Sequence, residues 1–129
     1  MSVSLMAAGE QDAHTTLSEN AFRSRAEIYI ASVAKSANGV ANAIKRLSDV
    51  ADKYSMTVLM SNCVGQSGGF ECAGKTSIWN DKGILVGQLN DTNEGIIVID
   101  TDTQALIEKT IDDQFLCAPY LALLADSHQ

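Results

Sequence analysis

The sequence has few of the residues that build metal sites. It contains three cysteines and two histidines in 129 residues, and His14 and His128 lie near opposite ends of the chain. Cys63, Cys72 and Cys117 form neither a C-x-x-C pair nor another zinc-binding spacing. We therefore expect no metal and no cofactor, with the cysteines as free thiols in a reducing cytoplasm.

Basic residues are also scarce, since 9 lysines and arginines stand against 16 aspartates and glutamates, for a net charge of -7. Proteins that bind nucleic acid usually present a basic surface. Here the basic pairs Arg23 with Arg25 and Lys45 with Arg46 lie beside acidic residues. We interpret both pairs as solvated helix faces and expect no nucleic-acid partner.

Long apolar runs are missing as well. No segment approaches the roughly 18 apolar residues that a membrane-spanning helix needs. The first ten residues, MSVSLMAAGE, lack the basic leader of a signal peptide. We expect no membrane partner and a cytoplasmic location.

The length and the 46% of hydrophobic residues are those of one globular domain. Residues 1–14 show no strong pattern, so we predict a variable N-terminal segment there and a single α/β domain over residues 15–129. Order is expected to begin near Thr15, with a short helix capped by Thr16 or Ser18.

The middle of the chain predicts a βαβ unit over residues 27–62. Ile28–Val33 is a short apolar run rich in β-forming residues, and residues 56–60 form a second such run. Between them, apolar side chains from Val40 to Tyr54 recur at helical spacing. Two strands joined by one helix of this length are expected to lie parallel.

After Gly65 the sequence predicts antiparallel strands and further helix. A strand over residues 75–79, a turn at 80–83 and a strand over 84–89 are typical of a hairpin. Residues 96–99 predict another buried strand. We expect Asp100 to Thr103 to cap a helix that runs through Lys109, and the tail, with Leu116 to Leu124 at helical spacing, to be helical.

Gly69 to Thr76 reads G-F-E-C-A-G-K-T, which matches the phosphate-binding P-loop string G-x-x-x-x-G-K-[ST]. A P-loop must lead directly into a helix whose N-terminal amides bind phosphate. The residues after Thr76 are β-branched and aromatic and reach a turn within four positions, so no helix fits. A P-loop nucleotide binder is therefore only a remote alternative, and Gly68, Gly69 and Gly74 are interpreted as turn residues.

Several segments together resemble the carbon–nitrogen hydrolase (nitrilase-like) superfamily. Ala26 to Ala34 is similar to its G-A-D-hydrophobic strand, although Arg25 and Glu27 replace the usual Gly and Asp. The N-x-x-G strand end is matched by residues 62–65, the G-G-S-x-I hairpin by residues 74–83, and the last E-G-hydrophobic-D strand by residues 94–100. The resemblance runs in order over residues 19–109.

The resemblance implies that catalytic residues are absent. The family's Glu base, Lys and Cys nucleophile come from the half of the domain that precedes the strand at Ala26, and residues 1–17 contain no cysteine. We interpret Cys63 as a small buried hydrophobe. Cys72 is expected to be exposed in a Gly-rich loop, with no histidine nearby in sequence to activate it.

The family fold is a four-layer α-β-β-α sandwich, so the chain resembles a two-layer, truncated half of it, the C-terminal half. One sheet face of such a half would be open, and each apolar side chain left in water would cost about 1.5 to 3 kcal/mol relative to burial. We therefore predict that homodimerisation through the sheet face completes the sandwich, and we expect the tail from Phe115 to Leu124 either to cover that interface or to pack across the partner.

Two functions follow from this reading. The first is a non-catalytic, homodimeric binding or structural protein that holds a small molecule or another protein. The second is a subunit of an amide or nitrile hydrolase whose partner supplies the catalytic residues. Polar residues at the predicted strand ends are the candidate ligand-binding residues: Lys35, Asn38, Asn62 and Lys75.

Overall fold

The computed structural model describes the backbone of residues 3–6, 11–111 and 120–124, and the side chains of residues 17–111. Its two helices are α1 (Gln11–Arg23) and α2 (Ala37–Tyr54). Its strands, in chain order, are β1 (Val3–Met6), β2 (Ile28–Val33), β3 (Thr57–Asn62), β4 (Val64–Ser67), β5 (Phe70–Ala73), β6 (Ser77–Trp79), β7 (Leu85–Gln88), β8 (Glu94–Asp100), β9 (Leu106–Ile111) and β10 (Tyr120–Leu124).

The strands form two facing sheets and a separate hairpin. A five-stranded sheet has the order β1-β2-β3-β6-β7, in which β1, β2 and β3 are parallel and β6 and β7 antiparallel. A three-stranded sheet has the order β10-β8-β9, and within the described residues β4 pairs with β5 alone. The predicted α/β class, the βαβ unit and the hairpin that follows it are confirmed.

Helix α2 covers one face of the five-stranded sheet because its apolar residues repeat at helical spacing. Val40, Ala43, Leu47 and Ala51 are buried on the side that faces the sheet. The helix ends at Ser55, whose left-handed backbone lets its N–H donate to the carbonyl of Ala51. Ala21 of α1 joins the same core, so both helices lie on one side of the sheet.

The other face of this sheet packs against the three-stranded sheet. Ile28, Leu59 and Ile78 form a second core cluster with Ile97 and Ile99 of β8, and all five side chains are at most 3% exposed. The sheet face that we expected to be open is therefore covered at these positions by the chain itself. Among the described side chains, the most exposed large apolar residue, Ile107, lies on the outer strand β9 of the three-stranded sheet.

The expectation that order begins near Thr15 is wrong. Residues 3–6 form β1, whose backbone pairs with that of β2, and α1 begins at Gln11, seven residues before the predicted cap at Ser18. The proposed boundary after residue 14 falls inside this helix. Parallel pairing with β2 fixes a segment whose own sequence has no strong periodicity.

The predicted helix from Asp100 to Lys109 is also wrong. The Asp100 carboxylate accepts the N–H groups of Asp102 and Thr103 at 2.9 and 3.1 Å, which is what a helix cap would do. Here the same bonds lie inside a tight turn. The turn is closed by the backbone bond from the Asp100 N–H to the Ala105 carbonyl at 2.9 Å. The chain then returns as β9, antiparallel to β8.

The helical C-terminal tail is wrong over residues 120–124, which form β10 and pair in parallel with β8. An apolar run of five residues is compatible with either structure, and the neighbouring edge of β8 decides between them. Residues 112–119 and 125–129, including Cys117, lie outside the described residues. Neither described helix is long and apolar enough to cross a lipid bilayer.

Candidate functional site

The carboxyl ends of β2 and β3 open on the same edge of the five-stranded sheet, where ligands of open α/β sheets usually bind. Lys35 follows β2, Asn62 ends β3, and Lys75 precedes β6. The Asn62 side chain is hydrogen-bonded to the backbone of Lys35 and to that of Gly74, the residue before Lys75. Asn38 lies apart from them, exposed in the first turn of α2, and no hydrogen bond joins it to the other three in the described part of the chain.

Asn62 is fully buried and links three segments. Its Oδ1 accepts the N–H of Lys35 at 2.8 Å, and its Nδ2 donates to the carbonyls of Lys35 at 3.1 Å and Gly74 at 2.9 Å. Both amide hydrogens and the amide oxygen are therefore bonded to main chain. This side chain is a structural connector between the end of β2 and the segment before β6.

Thr76 completes this connection and was missed from the sequence, where it stood only as the last letter of the P-loop string. Its hydroxyl accepts the N–H of Asn62 at 3.1 Å and lies 3.3 Å from the Asn62 carbonyl, to which it donates. Thr76 is fully buried. A buried hydroxyl needs a hydrogen-bond partner. The available signal in the sequence was a Thr within a predicted strand, which follows an Asn at the end of the preceding predicted strand.

Lys75 has the left-handed backbone that glycine usually adopts, with φ of 59°. Its N–H donates to the Asn90 carbonyl at 3.0 Å, and its carbonyl accepts the Ser77 hydroxyl at 2.5 Å. The main chain of Lys75 thus holds the loop that follows β7 against the start of β6. The half-buried side chain has no hydrogen bond to a described residue.

The P-loop string adopts a different structure from a phosphate-binding loop. Residues 70–73 of it are β5, and the residues after Thr76 are β6 rather than a helix. Gly68, Gly69 and Gly74 all have positive φ, between 57° and 88°, which confirms them as turn residues. The geometry that P-loop phosphate binding needs is not formed here.

The expectation of free cysteines is wrong for two of the three. Cys63 and Cys72 form a disulfide, with Cα atoms 5.5 Å apart. Cys72, predicted to be exposed, is 2% exposed. The missed signal in the sequence was the Gly68–Gly69 turn. Strands β4 and β5 pair across this turn and place Cys72 opposite Gly65, which is two residues from Cys63.

A shallow depression of about 210 Å³ adjoins these residues at the same edge of the sheet. It lies between the start of α2, strand β5 and the loop after β7, and its lining includes Ala37, Glu71, Cys72, Ala73, Asp91 and Thr92. Two of these lining residues, Glu71 and Asp91, are acidic, and Ala37 is the first residue of α2. Among residues 17–111, no three His, Cys, Asp or Glu side chains come together as metal ligands would.

Two buried polar atoms have no hydrogen-bond partner in the described part of the chain. They are the hydroxyl of Tyr29 and the Oε2 of Glu94. Tyr29 is packed among the apolar residues under the helices, and this burial raises its pKa to about 12. Glu94 begins β8 and is 5% exposed. Neither residue lines the depression.

The sequence matches no protein-family model and no curated protein at a significant level. Its structure is similar to an amidase of the nitrilase superfamily from Nesterenkonia AN1, with a TM-score of 0.63 and 18% identity over 86% of this chain and 38% of the amidase. It is also similar to a carbon–nitrogen hydrolase from Helicobacter pylori G27, with a TM-score of 0.61 and 17% identity over 85% of this chain and 40% of that protein.

A third similar structure is Saccharomyces cerevisiae Nit3, described as a member of branch 10 of the nitrilase superfamily, with a TM-score of 0.62 and 13% identity over 85% of this chain and 37% of Nit3. The chain spans about two fifths of the length of these solved structures. At these identities the likeness concerns the fold. The chain therefore has the fold of one part of a carbon–nitrogen hydrolase domain of the nitrilase superfamily.

Proposed function

We propose that this chain is a non-catalytic module with a nitrilase-like fold, which acts by binding as a homodimer. The observation that carries the proposal is the pairing of Cys63 with Cys72. The structurally similar Nesterenkonia amidase reacts with fluoroacetamide and acrylamide at an active-site cysteine. A cysteine in a disulfide has no thiolate to offer as a nucleophile, and residues 17–111 contain no histidine that could activate Cys63 or Cys72 after reduction.

The hydrogen bonds of Asn62 also support a non-catalytic role. All of the bonds that its side chain makes are to the backbone of Lys35 and Gly74, and a substrate would have to displace them. Breaking a bond to a buried backbone group leaves that group unsatisfied, at a cost of roughly 1 to 3 kcal/mol. The residue with the best position for chemistry is thus committed to holding loops together.

The size of the depression beside Cys72 favours a small ligand or a protein contact. Its volume of about 210 Å³ is below the roughly 300 to 1,000 Å³ of typical small-molecule sites. A drug-sized molecule would remain mostly in solvent there. We therefore infer that the main binding surface lies elsewhere.

The outer face of the three-stranded sheet is the proposed surface for a second copy of the chain. Ile96 and Val98 of β8 alternate with the buried Ile97 and Ile99, and they are only half-buried. Ile107, opposite Val98 on β9, is 63% exposed. In the α-β-β-α family fold a further layer would cover this face, and pairing two copies about a two-fold axis supplies such a layer.

The proposed lack of catalysis is tested with purified protein and short aliphatic amides and nitriles, with ammonia release as the measurement. We expect no release above buffer, both for the wild type and for a Cys117→Ser variant. Release that disappears in Cys117→Ser would replace the proposal with a cysteine hydrolase. Release that survives in every single Cys→Ser variant would identify a contaminating enzyme, and the assay would be repeated after further purification.

Homodimerisation is tested by sedimentation velocity at micromolar concentration. We expect a dimer for the wild type and a monomer for Ile107→Glu, because a charge would be buried at the proposed interface. Leu17→Glu is the matched control, since Leu17 is 38% exposed but belongs to α1, on the opposite side of the five-stranded sheet. A folded wild-type monomer, or equal loss of dimer in both variants, would refute the proposed interface.

One alternative is a hydrolase subunit whose partner supplies the catalytic residues, because the similar solved structures include an amidase and a carbon–nitrogen hydrolase. This alternative predicts that the wild-type protein is inactive alone and does not self-associate through Ile107. A monomer in the sedimentation experiment would therefore favour the alternative over the homodimer.

A further inference from the structure

We propose that the Cys63–Cys72 disulfide is a thiol-exchange site, at which a small thiol of the glutathione class attacks the sulfur of Cys63. The two cysteines differ in access. Cys63, between β3 and β4, is half-buried, whereas Cys72 in β5 is 2% exposed. A thiolate must reach the sulfur along the S–S axis, so the more exposed partner is the one attacked.

The hairpin of β4 and β5 keeps the two sulfurs near each other after the bond opens. The cysteines are nine positions apart in sequence, and Gly65 lies directly opposite Cys72. The Gly74 N–H donates to the Cys63 carbonyl at 2.9 Å, and this backbone bond does not depend on the sulfurs. In the reverse reaction, the disulfide of the small thiol forms a mixed disulfide with one cysteine and releases one small thiol, and the other cysteine then displaces the second small thiol in an intramolecular step.

The outer part of the hairpin has little else to hold it. Residues 65–71 are all exposed, including Phe70 at 39%, and β4 and β5 pair only with each other. Ala73, at the inner end of β5, is the hairpin residue that packs against the main core. An isolated two-stranded hairpin is marginally stable in water, so we infer that the disulfide supplies much of its local stability.

The exchange has two balanced steps. The attacking thiolate forms a bond with Sγ of Cys63, the Cys63–Cys72 bond breaks, and its electron pair leaves on Cys72 as a thiolate. A second small thiol then attacks the mixed disulfide, which releases Cys63 as a thiolate and the small thiol as its own disulfide. The protein gains two electrons and, after protonation, two protons, and two small thiols are oxidised.

Exchange also alters the depression at the sheet edge. Glu71, Cys72 and Ala73 all belong to β5 and line it. In the disulfide form this wall is also tethered by a covalent bond to Cys63 at the end of β3, whereas in the reduced form it is held by backbone hydrogen bonds and by the packing of Ala73 against the core. Cys63 is thus a modification site whose state sets the order of one wall of the depression, whether or not a ligand binds there.

The access argument is tested in a Cys117→Ser background, in which a second substitution leaves one cysteine of the pair. Each variant is treated with glutathione disulfide, and the adduct is followed by mass spectrometry. We expect Cys63, in the Cys72→Ser variant, to react about tenfold faster than Cys72 in the Cys63→Ser variant, since access controls the rate. Equal rates, or faster reaction of Cys72, would overturn the assignment.

A second measurement uses no substitution in the pair and so does not depend on whether those variants fold. Amide hydrogen exchange is compared between the oxidised and reduced forms of the Cys117→Ser protein. We expect amides of residues 64–73 to exchange about tenfold faster after reduction, while those of Leu47 and Val50 in α2 stay unchanged. Unchanged exchange in the hairpin, or failure of the disulfide to form in a glutathione redox buffer, would overturn the proposal.

Discussion

The side chain of Asn62 pairs with the backbone of Lys35 as a neighbouring strand would, accepting its N–H at 2.8 Å and donating to its carbonyl at 3.1 Å. The two residues are 27 positions apart, and the pair closes the β2–α2–β3 unit at its carboxyl edge. Because Asn62 also donates to the Gly74 carbonyl, one amide side chain fixes three chain segments relative to each other.

We expect Asn62→Ala to reduce the free energy of unfolding by about 2 to 4 kcal/mol, since it removes three hydrogen bonds and leaves buried backbone groups unsatisfied. Urea unfolding followed by circular dichroism measures this. Asn38→Ala is the matched control, because Asn38 is exposed and should change stability by less than about 0.5 kcal/mol. Similar effects of both substitutions would contradict the connector role of Asn62.

Lys75→Gly is expected to stabilise the protein by about 0.5 to 1 kcal/mol. Lys75 has φ of 59°, where a side chain is strained by roughly 1 to 2 kcal/mol, and the greater freedom of glycine in the unfolded chain offsets part of the gain. Thermal unfolding by calorimetry is the measurement. A lower midpoint would mean that the Lys75 side chain makes a stabilising interaction.

The opposite result is expected one residue earlier, for Gly74→Ala. A Cβ on Gly74 would lie 2.8 Å from the Asn90 carbonyl oxygen and 2.8 Å from a methyl of Val64, at a φ of 57°. Strain and contact together predict a loss of about 2 to 3 kcal/mol. Calorimetry on both variants tests whether adjacent left-handed residues respond with opposite sign.

Tyr29→Phe should leave stability unchanged at neutral pH or raise it by up to about 1 kcal/mol, because the buried hydroxyl of Tyr29 has no partner in the described part of the chain. The pH dependence of the free energy of unfolding distinguishes the wild type from Tyr29→Phe more sharply. Burial raises the pKa of Tyr29 from 10.0 to about 12, so the folded protein keeps a phenol proton that the unfolded chain releases. Wild-type stability therefore falls as the pH rises from about 10 to about 12.

The decrease in stability at high pH should be smaller in Tyr29→Phe, because residue 29 then has no phenol hydroxyl to ionise. Urea unfolding of both proteins at about pH 8 and about pH 11 provides the comparison. Parallel curves would show that Tyr29 titrates normally and is not enclosed as the structure places it.

Gly87→Ala is expected to destabilise the protein by about 1 to 3 kcal/mol through overpacking. A Cβ there would lie 2.5 Å from a methyl of Leu106 and 2.7 Å from the carboxylate of Glu108, where β7 meets β9. Leu106→Ala removes the nearer obstacle, so the double variant should lose less than the sum of the two single changes. Additive losses in urea unfolding would mean that the two strands do not approach each other this closely.

The sequence predicts the βαβ unit well because local and tertiary preferences agree there. The apolar face of α2 packs against the five-stranded sheet, and the β-branched run of β2 forms a strand of that sheet. Each segment therefore has one compatible structure. The candidate site was predicted only in part. Lys35 and Asn62 are hydrogen-bonded to each other, but the sequence could not show that every hydrogen bond of the Asn62 side chain would be to the backbone of Lys35 and Gly74.

The errors fall where pairing with a distant strand decides the structure. β1, β9 and β10 are placed by β2 or β8, and no periodicity within them shows this. At Asp100 the same side-chain bonds can start a helix or close a hairpin, and the β-branched residues of β9 were the weaker but correct signal. Predicting the disulfide required the register of the β4–β5 hairpin. The Gly-rich sequence of this segment has no periodicity from which that register could be predicted.

Glu108 has a consequence for the colloidal behaviour of the protein. Its carboxylate accepts the N–H of Gln88 at 2.8 Å, at the outer margin of the five-stranded sheet. Three successive apolar residues from Ile84 to Val86 are exposed beside that margin, a combination that invites fibrous aggregation by strand addition. Because Glu108 occupies an amide that an incoming strand would need and places a carboxylate beside it, we expect Glu108 to oppose strand addition at this margin.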